Sequence, residues 1–277
     1  MRFGFVTCVE IGVACIDEIL SAGYDIAAIF TFPSDRAPDK SGRASPRGPA
    51  ARHDVPIVEI DDVNSGEVAR RCRTLGIDWL FIIGWSQIAR REVLDAPRLG
   101  CVGAHPTLLP AGRGRAAIPW TILKGLTESG VTLFRLAPGV DNGPVLGQVR
   151  FPVEPDETAT TLYAKVVDAH RELIRSCMPD LEGGDVAGRP QDENLATVWP
   201  GRRPEDGRLD FDMTVAEADR LVRATTRPYP GAFIDLPDGR RIRCWSGRAG
   251  LPADAPSLPL RFADGTYHLV DWDEETD

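Results

Sequence analysis

The chain has only four histidines and three methionines in 277 residues, and no two of its six cysteines stand in a CxxC pair. Cys8, Cys15, Cys72, Cys101, Cys177 and Cys244 are scattered. That spacing argues against a structural zinc site or a disulfide framework, and for small core residues in a reducing compartment. No apolar run is long enough to span a bilayer. The N-terminal stretch lacks the long apolar region and cleavage site of a signal peptide, so cytoplasmic residence is expected. Positive charge is not in excess. The formal net charge of -9 argues against a broad nucleic-acid surface, which needs clustered Lys and Arg. The first strand-to-helix turn, Thr7 to Gly12, lacks the GxGxxG that a dinucleotide pyrophosphate requires. There is no internal repeat and no low-complexity segment.

What is present fits a globular protein. A hydrophobic content of 43% with 26% charged residues supplies a sizeable core for one large domain or two smaller ones. Arg greatly outnumbers Lys. That suits bidentate carboxylate or phosphate contacts, and it is also what a GC-rich genome produces.

Periodicity predicts strands over 2–7, 24–31, 56–60 and 78–83 and helices over 10–22 and 64–75, the latter capped by Asn64 or Ser65. A polar loop covers 33–48. Apolar runs alternating with amphipathic helices mean βαβ units and an α/β fold: a Rossmann-like, mostly parallel sheet with helices on both faces. Ligands of such sheets bind beyond the carboxyl ends of the strands, here the loops after residues 7, 31, 83 and 104. A further strand (145–153) and helix (158–177) follow. Composition changes near 196–208. Beyond it come a short helix (215–224), strands over 232–236, 241–245, 258–262 and 267–270, and hairpin signals at Asp238-Gly239 and Asp264-Gly265. The expected domains are 1–195 and a small β-rich part, 196–277. Strand edges in the latter offer a surface for a homodimer.

The chemistry concentrates between Gly100 and Gln148. His105 sits in His-Pro-Thr-Leu-Leu-Pro, where a strand hands over to a proline-stiffened loop, and Asp141 sits in a Gly-Val-Asp-Asn-Gly-Pro turn. A histidine within reach of a carboxylate can hold and shuttle a proton near neutral pH. Arg113 and Arg115 flank Gly114 beside the histidine loop; they suit a phosphate or carboxylate, and equally suit solvated loop positions. Tyr229 and Phe233 could stack on a base or pack between subdomains. His53, His170 and His268 have no partner motif and are expected at the surface. Asp271 to Asp277 reads as a solvated acidic end.

This block resembles the folate-dependent formyltransferase family, which includes methionyl-tRNA formyltransferase, glycinamide ribonucleotide transformylase and the sugar N-formyltransferases. The family's HPSLLP loop is matched by His105 to Pro110, with Thr107 for Ser, and its DxG turn by Asp141-Asn142-Gly143. The runs 201–211 and 221–233 resemble the C-terminal part of the domain that formylates UDP-4-amino-4-deoxy-arabinose, where the smaller subdomain is OB-like. The resemblance implies 10-formyltetrahydrofolate as formyl donor and a small-molecule amine, an amino-sugar nucleotide, as acceptor. It implies His105 and Asp141 as catalytic residues; with such an acceptor, Thr107, Arg113, Arg115 and Tyr229 are the candidate residues to bind it. It implies a pterin pocket built from Gly84, Trp85, Ser86, Gln87 and Ile88 with Leu136, Gly139 and Val140. Trp85 and Ile88 also suit the core. One position departs from the family: its asparagine two residues before the histidine, a formyl-oxygen donor, is Gly103 here. Losing such a donor costs about 10²–10³ in rate. Two other readings therefore stand beside transfer: hydrolysis of 10-formyltetrahydrofolate, and folate or nucleotide binding without catalysis. Methionyl-tRNA is disfavoured by the net charge and by a C-terminal part shorter than the tRNA-reading domain of those enzymes.

Overall fold

The computed structural model describes residues 1–35, 40–184, 186–252 and 256–275. Positions 36–39 of the polar loop and the last two residues of the acidic end lie outside them. The elements in chain order are β1 (Arg2–Val6), α1 (Glu10–Ser21), β2 (Asp25–Thr31), α2 (Arg47–Arg52), β3 (Ile57–Glu59), α3 (Glu67–Leu75), β4 (Trp79–Ile82), α4 (Arg91–Leu94) and β5 (Gly100–His105). Then come β6 (Arg113–Gly114), α5 (Ala117–Leu123), β7 (Glu128–Arg135), β8 (Val145–Pro152), α6 (Ala159–Gly183) and β9 (Val198–Trp199). The last are α7 (Val215–Thr225), β10 (Ala232–Asp235), β11 (Arg241–Ala249), β12 (Leu258–Phe262) and β13 (Gly265–Glu275).

Contacts divide the chain into two units. The first comprises Met1–Gly114, Ser129–Phe151 and Lys165–Val198; the second comprises Arg115–Glu128, Pro152–Ala164 and Trp199–Asp277.

The first unit carries a seven-stranded sheet in the order β3-β2-β1-β4-β5-β7-β8. Strands β1 to β5 are parallel, and β7 pairs antiparallel with β5. Side chains of a strand alternate between faces, and both faces are apolar. On one, Val6, Phe30, Leu80, Ile82 and Cys101 pack with Val68, Ala69 and Cys72 of α3 and Val93 and Leu94 of α4. On the other, the ring of Phe81 lies against Phe3 and Phe5, and the Trp79 indole N–H donates to the Leu181 carbonyl of α6 at 3.2 Å. Each fully buried large apolar side chain contributes roughly 1.5–3 kcal/mol. The sheet is therefore doubly covered, as expected. The order reverses between β1 and β4, which opens a crevice at the strands' carboxyl ends.

The second unit carries a four-stranded antiparallel sheet in the order β10-β11-β13-β12. Its core joins Ala218, Leu221 and Val222 of α7 to Ile234, Ile242, Leu260, Tyr267 and Leu269. A capping box between Thr214 and Glu217 starts α7. Asp238-Gly239 joins β10 to β11 and Asp264-Gly265 joins β12 to β13, as the sequence predicts.

Several expectations are corrected. The N-cap of α3 is Gly66, not Asn64 or Ser65. Asn64 instead ties down a loop: its carbonyl accepts from the Arg90 N–H at 2.7 Å and its amide donates to the Ile88 carbonyl at 3.1 Å. His170 is not a surface residue; it is 3% exposed on α6. Its Nδ1 donates to the Val166 carbonyl at 2.7 Å. Burial pushes its pKa down to about 4; the Val166 bond opposes that shift and the charge of His105 adds to it. His53 is exposed and His268 half-buried. No helix among the described residues is long and apolar enough to cross a membrane.

Candidate active site

His105 is the last residue of β5 and is 7% exposed. Its register partner across the antiparallel pair is Thr132 of β7. That threonine anchors the loop after His105. Its hydroxyl donates to the Thr107 carbonyl at 2.7 Å and accepts from the Leu109 N–H at 3.0 Å. Gln148 of β8 adds its amide to the Thr132 hydroxyl and to the Leu109 carbonyl, at 2.9 and 2.8 Å. The loop thus turns back with Gly112 under the imidazole, and His105 Nε2 lies 2.8 Å from the Gly112 carbonyl. A carbonyl only accepts, so Nε2 carries the proton and donates. Nδ1 is the nitrogen left for chemistry, and it faces Asp141 Oδ2 at 3.6 Å. That gap exceeds a hydrogen bond and leaves the pair poised but not closed.

Asp141 stands on a turn of unusual backbone, with φ of 50°. A non-glycine residue there costs on the order of 1 kcal/mol. Gly143 has a different reason: a Cβ at that position would lie 1.8 Å from the Arg135 carbonyl oxygen, so no side chain fits. The Asp141 carboxylate accepts the Gly114 N–H at 2.8 Å. The same short loop therefore offers a carbonyl to His105 and an N–H to Asp141.

Arg113, between those two glycines, is 6% exposed. Its guanidinium donates to Gln191 Oε1 and to both Glu193 oxygens at 2.7–3.1 Å. It is neither a solvated loop residue nor free to meet a substrate. Gln191 then donates to the Asp141 and Gly143 carbonyls at 2.8 and 2.7 Å. Gln191, Gln148 and Thr132 were not singled out from the sequence; their partners, backbone and side chain alike, lie far along the chain.

Thr107 is buried, with its hydroxyl 3.4 Å from the Gly112 carbonyl. Gly103 faces a filled space: a Cβ there would lie 2.5 Å from Leu136 Cδ2. Leu136 thus occupies the volume beside the strand where a side chain at position 103 would begin.

The residues expected to line a pterin pocket divide in two. Trp85 stacks on Phe32, with ring centroids 4.1 Å apart, and its indole N–H donates to Gln87. Gln87 itself holds the Val63 N–H and the Asp61 carbonyl. The Gly84 carbonyl accepts from Lys40 Nζ at 2.6 Å. These three are committed to the scaffold. Ser86 is exposed. Ile88 and Val140 are 66% and 46% exposed, large apolar side chains left open to solvent. Leu136 opens the turn through Gly139 to Asp141. A cavity of about 390 Å³ at the amino end of β5 is lined by Arg91, Asp95, Arg98, Gly100, Arg135 and Leu136 among others, and its lining includes neither His105 nor Asp141. In the second unit, Arg115 is exposed and Tyr229 half-buried, with burial pushing the Tyr229 phenol up.

The fold recurs among known proteins. Over its whole length the chain matches HypX from Aquifex aeolicus, solved in complex with tetrahydrofolic acid, at 18% identity with a TM-score of 0.74. It spans only 44% of the HypX chain. It matches an N-formyltransferase from Helicobacter canadensis, solved with folinic acid and dTDP-3-aminofucose, at 15% identity and a TM-score of 0.72, covering 99% of this chain and 100% of that one. Methionyl-tRNA formyltransferase from Clostridium thermocellum matches at 16% identity and a TM-score of 0.67, with both chains fully covered. The "Formyl transferase" family matches residues 10–178 and the "Formyl transferase, C-terminal domain" matches residues 202–259. With more than half its length matched and the HPTLLP and DNG motifs facing one another, the chain belongs to the formyl transferase family of enzymes.

Proposed function

We propose that this protein transfers a formyl group from 10-formyltetrahydrofolate to the amino group of a small substrate, an amino-sugar nucleotide. The observation that carries the reading is the His105–Asp141 pair, 3.6 Å apart at the end of a parallel strand. The exposed Ile88 and Val140 suit the flat, partly apolar head of a folate. Ile88, Leu136 and Val140 would hold that head, with backbone groups of 84–88 and 136–140 reading its edge. When bound, the formyl-folate supplies an activated one-carbon unit.

The chain's own residues do the rest. As the amine nitrogen bonds the formyl carbon and the bond from that carbon to the folate nitrogen breaks, Asp141 accepts the proton the amine loses, directly or through a water, and that proton balances the one the departing folate nitrogen takes up. His105, with Nε2–H fixed on Gly112, presents Nδ1 to the same centre. Protonated there, it donates to the charge that develops on the formyl oxygen. With Gly103 offering no side chain, His105 is the side-chain donor that this arrangement supplies. The net charge of -9 favours a small acceptor over a tRNA.

The test is tetrahydrofolate release from 10-formyltetrahydrofolate across a panel of amino-sugar nucleotides. Release that requires an amine is expected. Release without amine would make the protein a hydrolase, and folate binding with neither would make it a binding protein. His105→Ala and Asp141→Asn are each expected to lower kcat by at least about 10² while leaving the unfolding midpoint near that of the parent. Near-normal turnover in either would remove this mechanism.

A further inference from the structure

The Asp141 turn is closed by the Arg135 N–H on the Pro144 carbonyl and by the Asn142 amide on the Pro138 carbonyl, and neither bond reaches the Asp141 peptide itself. The turn's central residue has a positive φ and its neighbour Val140 is exposed. Yet the Asp141 carboxylate must stay within reach of His105. The side chain that holds the Asp141 carbonyl comes from 50 residues away.

We infer that Gln191 is a positioning residue that sets the Asp141 carboxylate against His105, with Arg113 and Glu193 holding its carboxamide. The inference rests on the formyl-transfer reading above. Its physical basis is saturation. The Gln191 amide has two N–H donors, and both are used, on the Asp141 and Gly143 carbonyls. Its oxygen has two lone pairs, and both are used, by Arg113 Nε and Nη2. A guanidinium only donates, so the atom facing Arg113 must be the oxygen, and the amide orientation is settled without appeal to anything else. Two carbonyls drawn to one amide fix the peptide planes on either side of the turn, and with them the direction of the Asp141 side chain.

The network closes on itself. Arg113 lies between Gly112, whose carbonyl holds His105, and Gly114, whose N–H holds the Asp141 carboxylate. Its own N–H donates to the Thr197 carbonyl at 2.9 Å, and the Gly112 N–H donates to the Thr197 hydroxyl at 2.9 Å. One short loop therefore holds both members of the pair, and Gln191 links that loop to the turn. Glutamate at 191 would fail: a carboxylate would turn lone pairs onto two carbonyls.

The experiment uses the full chain and the substitutions Gln191→Ala and Gln191→Glu, each alone and with Asp141→Asn. Gln191→Ala is expected to lower kcat by about 10²-fold, the usual cost of misplacing a catalytic group by an ångström, with KM for 10-formyltetrahydrofolate within about 3-fold. Gln191→Glu should be no better. In the Asp141→Asn background, Gln191→Ala should cost less than about 2-fold, because the carboxylate it positions is gone. Equal losses in both backgrounds would show a general structural role and overturn the proposal. Should the alanine variant not fold, Gln191→Asn keeps the amide one methylene short and should give the same pattern at about 10-fold. A second readout needs no turnover. In a crystal structure of Gln191→Ala, the His105 Nδ1–Asp141 Oδ2 separation should open beyond 3.6 Å, and an unchanged separation overturns the proposal. If the parent protein transfers no formyl group while that separation opens, the formyl-transfer reading fails and the positioning role stands.

Discussion

Gly103 offers the sharpest test of how the site is packed. Restoring the family's asparagine, Gly103→Asn, brings a Cβ to 2.5 Å from Leu136 Cδ2, 3.2 Å from Leu136 Cγ and 3.4 Å from Phe134 Cζ. The nearest atom ends a flexible side chain, so Leu136 can yield, but the strand backbone cannot. Overpacking of this kind costs about 1–3 kcal/mol. Leu136→Ala clears the space. Leu136 is only partly buried against the core, so its truncation should cost about 1–2 kcal/mol, the low end for Leu→Ala. If the two positions compete for one volume, the double variant should lose about 1–2 kcal/mol less than the sum of the singles. Urea unfolding of the four proteins reads that coupling directly. Activity is the second readout. Gly103→Asn alone should not speed transfer, because its side chain has no room; with Leu136→Ala it should raise kcat by up to about 10²-fold, the worth of one oxyanion donor. Strictly additive unfolding energies would refute the steric argument, whatever the rates do.

Two further outcomes follow from the same geometry. Gly143→Ala forces a Cβ onto the Arg135 carbonyl oxygen, a backbone atom that cannot swing aside. It should cost about 1–3 kcal/mol and lower kcat at least tenfold by moving Asp141; an alanine variant with parental kcat would count against the turn as drawn. His170 predicts a pH dependence. Its pKa is about 4 in the fold against about 6.5 unfolded, so between those values the unfolded chain binds the extra proton. Stability from this residue is full above about pH 6.5 and is lost as pH falls towards 4, in total on the order of 3 kcal/mol. His170→Gln should flatten that part of the stability–pH curve, and an unchanged slope would show that another group is responsible.

The sheet was legible because buried parallel strands read as apolar runs, and β1, β2 and β4 carry little else. Strand β7 was harder to see, since it begins Glu-Ser-Gly and neither alternates nor runs continuously. Its Gly130 is there because a Cβ would lie 2.3 Å from the Val149 carbonyl oxygen, a reason visible only once β8 is in place. His170 could have been recognised as buried: it falls in helical step with Leu162, Val166 and Leu173, all core residues. Asn64 has the chemistry of a helix cap, but its side chain found stronger partners at Ile88 and Arg90 than the start of α3 offered.

The site divides along the same line. Groups that touch the reacting atoms must have particular side-chain chemistry, and such residues stand out in a sequence: His105 and Asp141 did. Groups that hold them need only a donor or acceptor at one point in space. Here those are the Gly112 carbonyl, the Gly114 N–H and the Gln191 amide. The first two are backbone, invisible to any reading of side chains, and the third contacts backbone only at Asp141 and Gly143. Arg113 stands out in the sequence for its charge, which points outward, to a substrate anion or to solvent. Its burial and its bonds to Gln191 and Glu193 turn it inward. A charged residue between two glycines beside a catalytic loop therefore has two possible tasks, and the number of its own donors already occupied decides between them. For Arg113 the Nε and both terminal nitrogens are engaged, which leaves it as part of the frame that keeps Nδ1 and the carboxylate 3.6 Å apart.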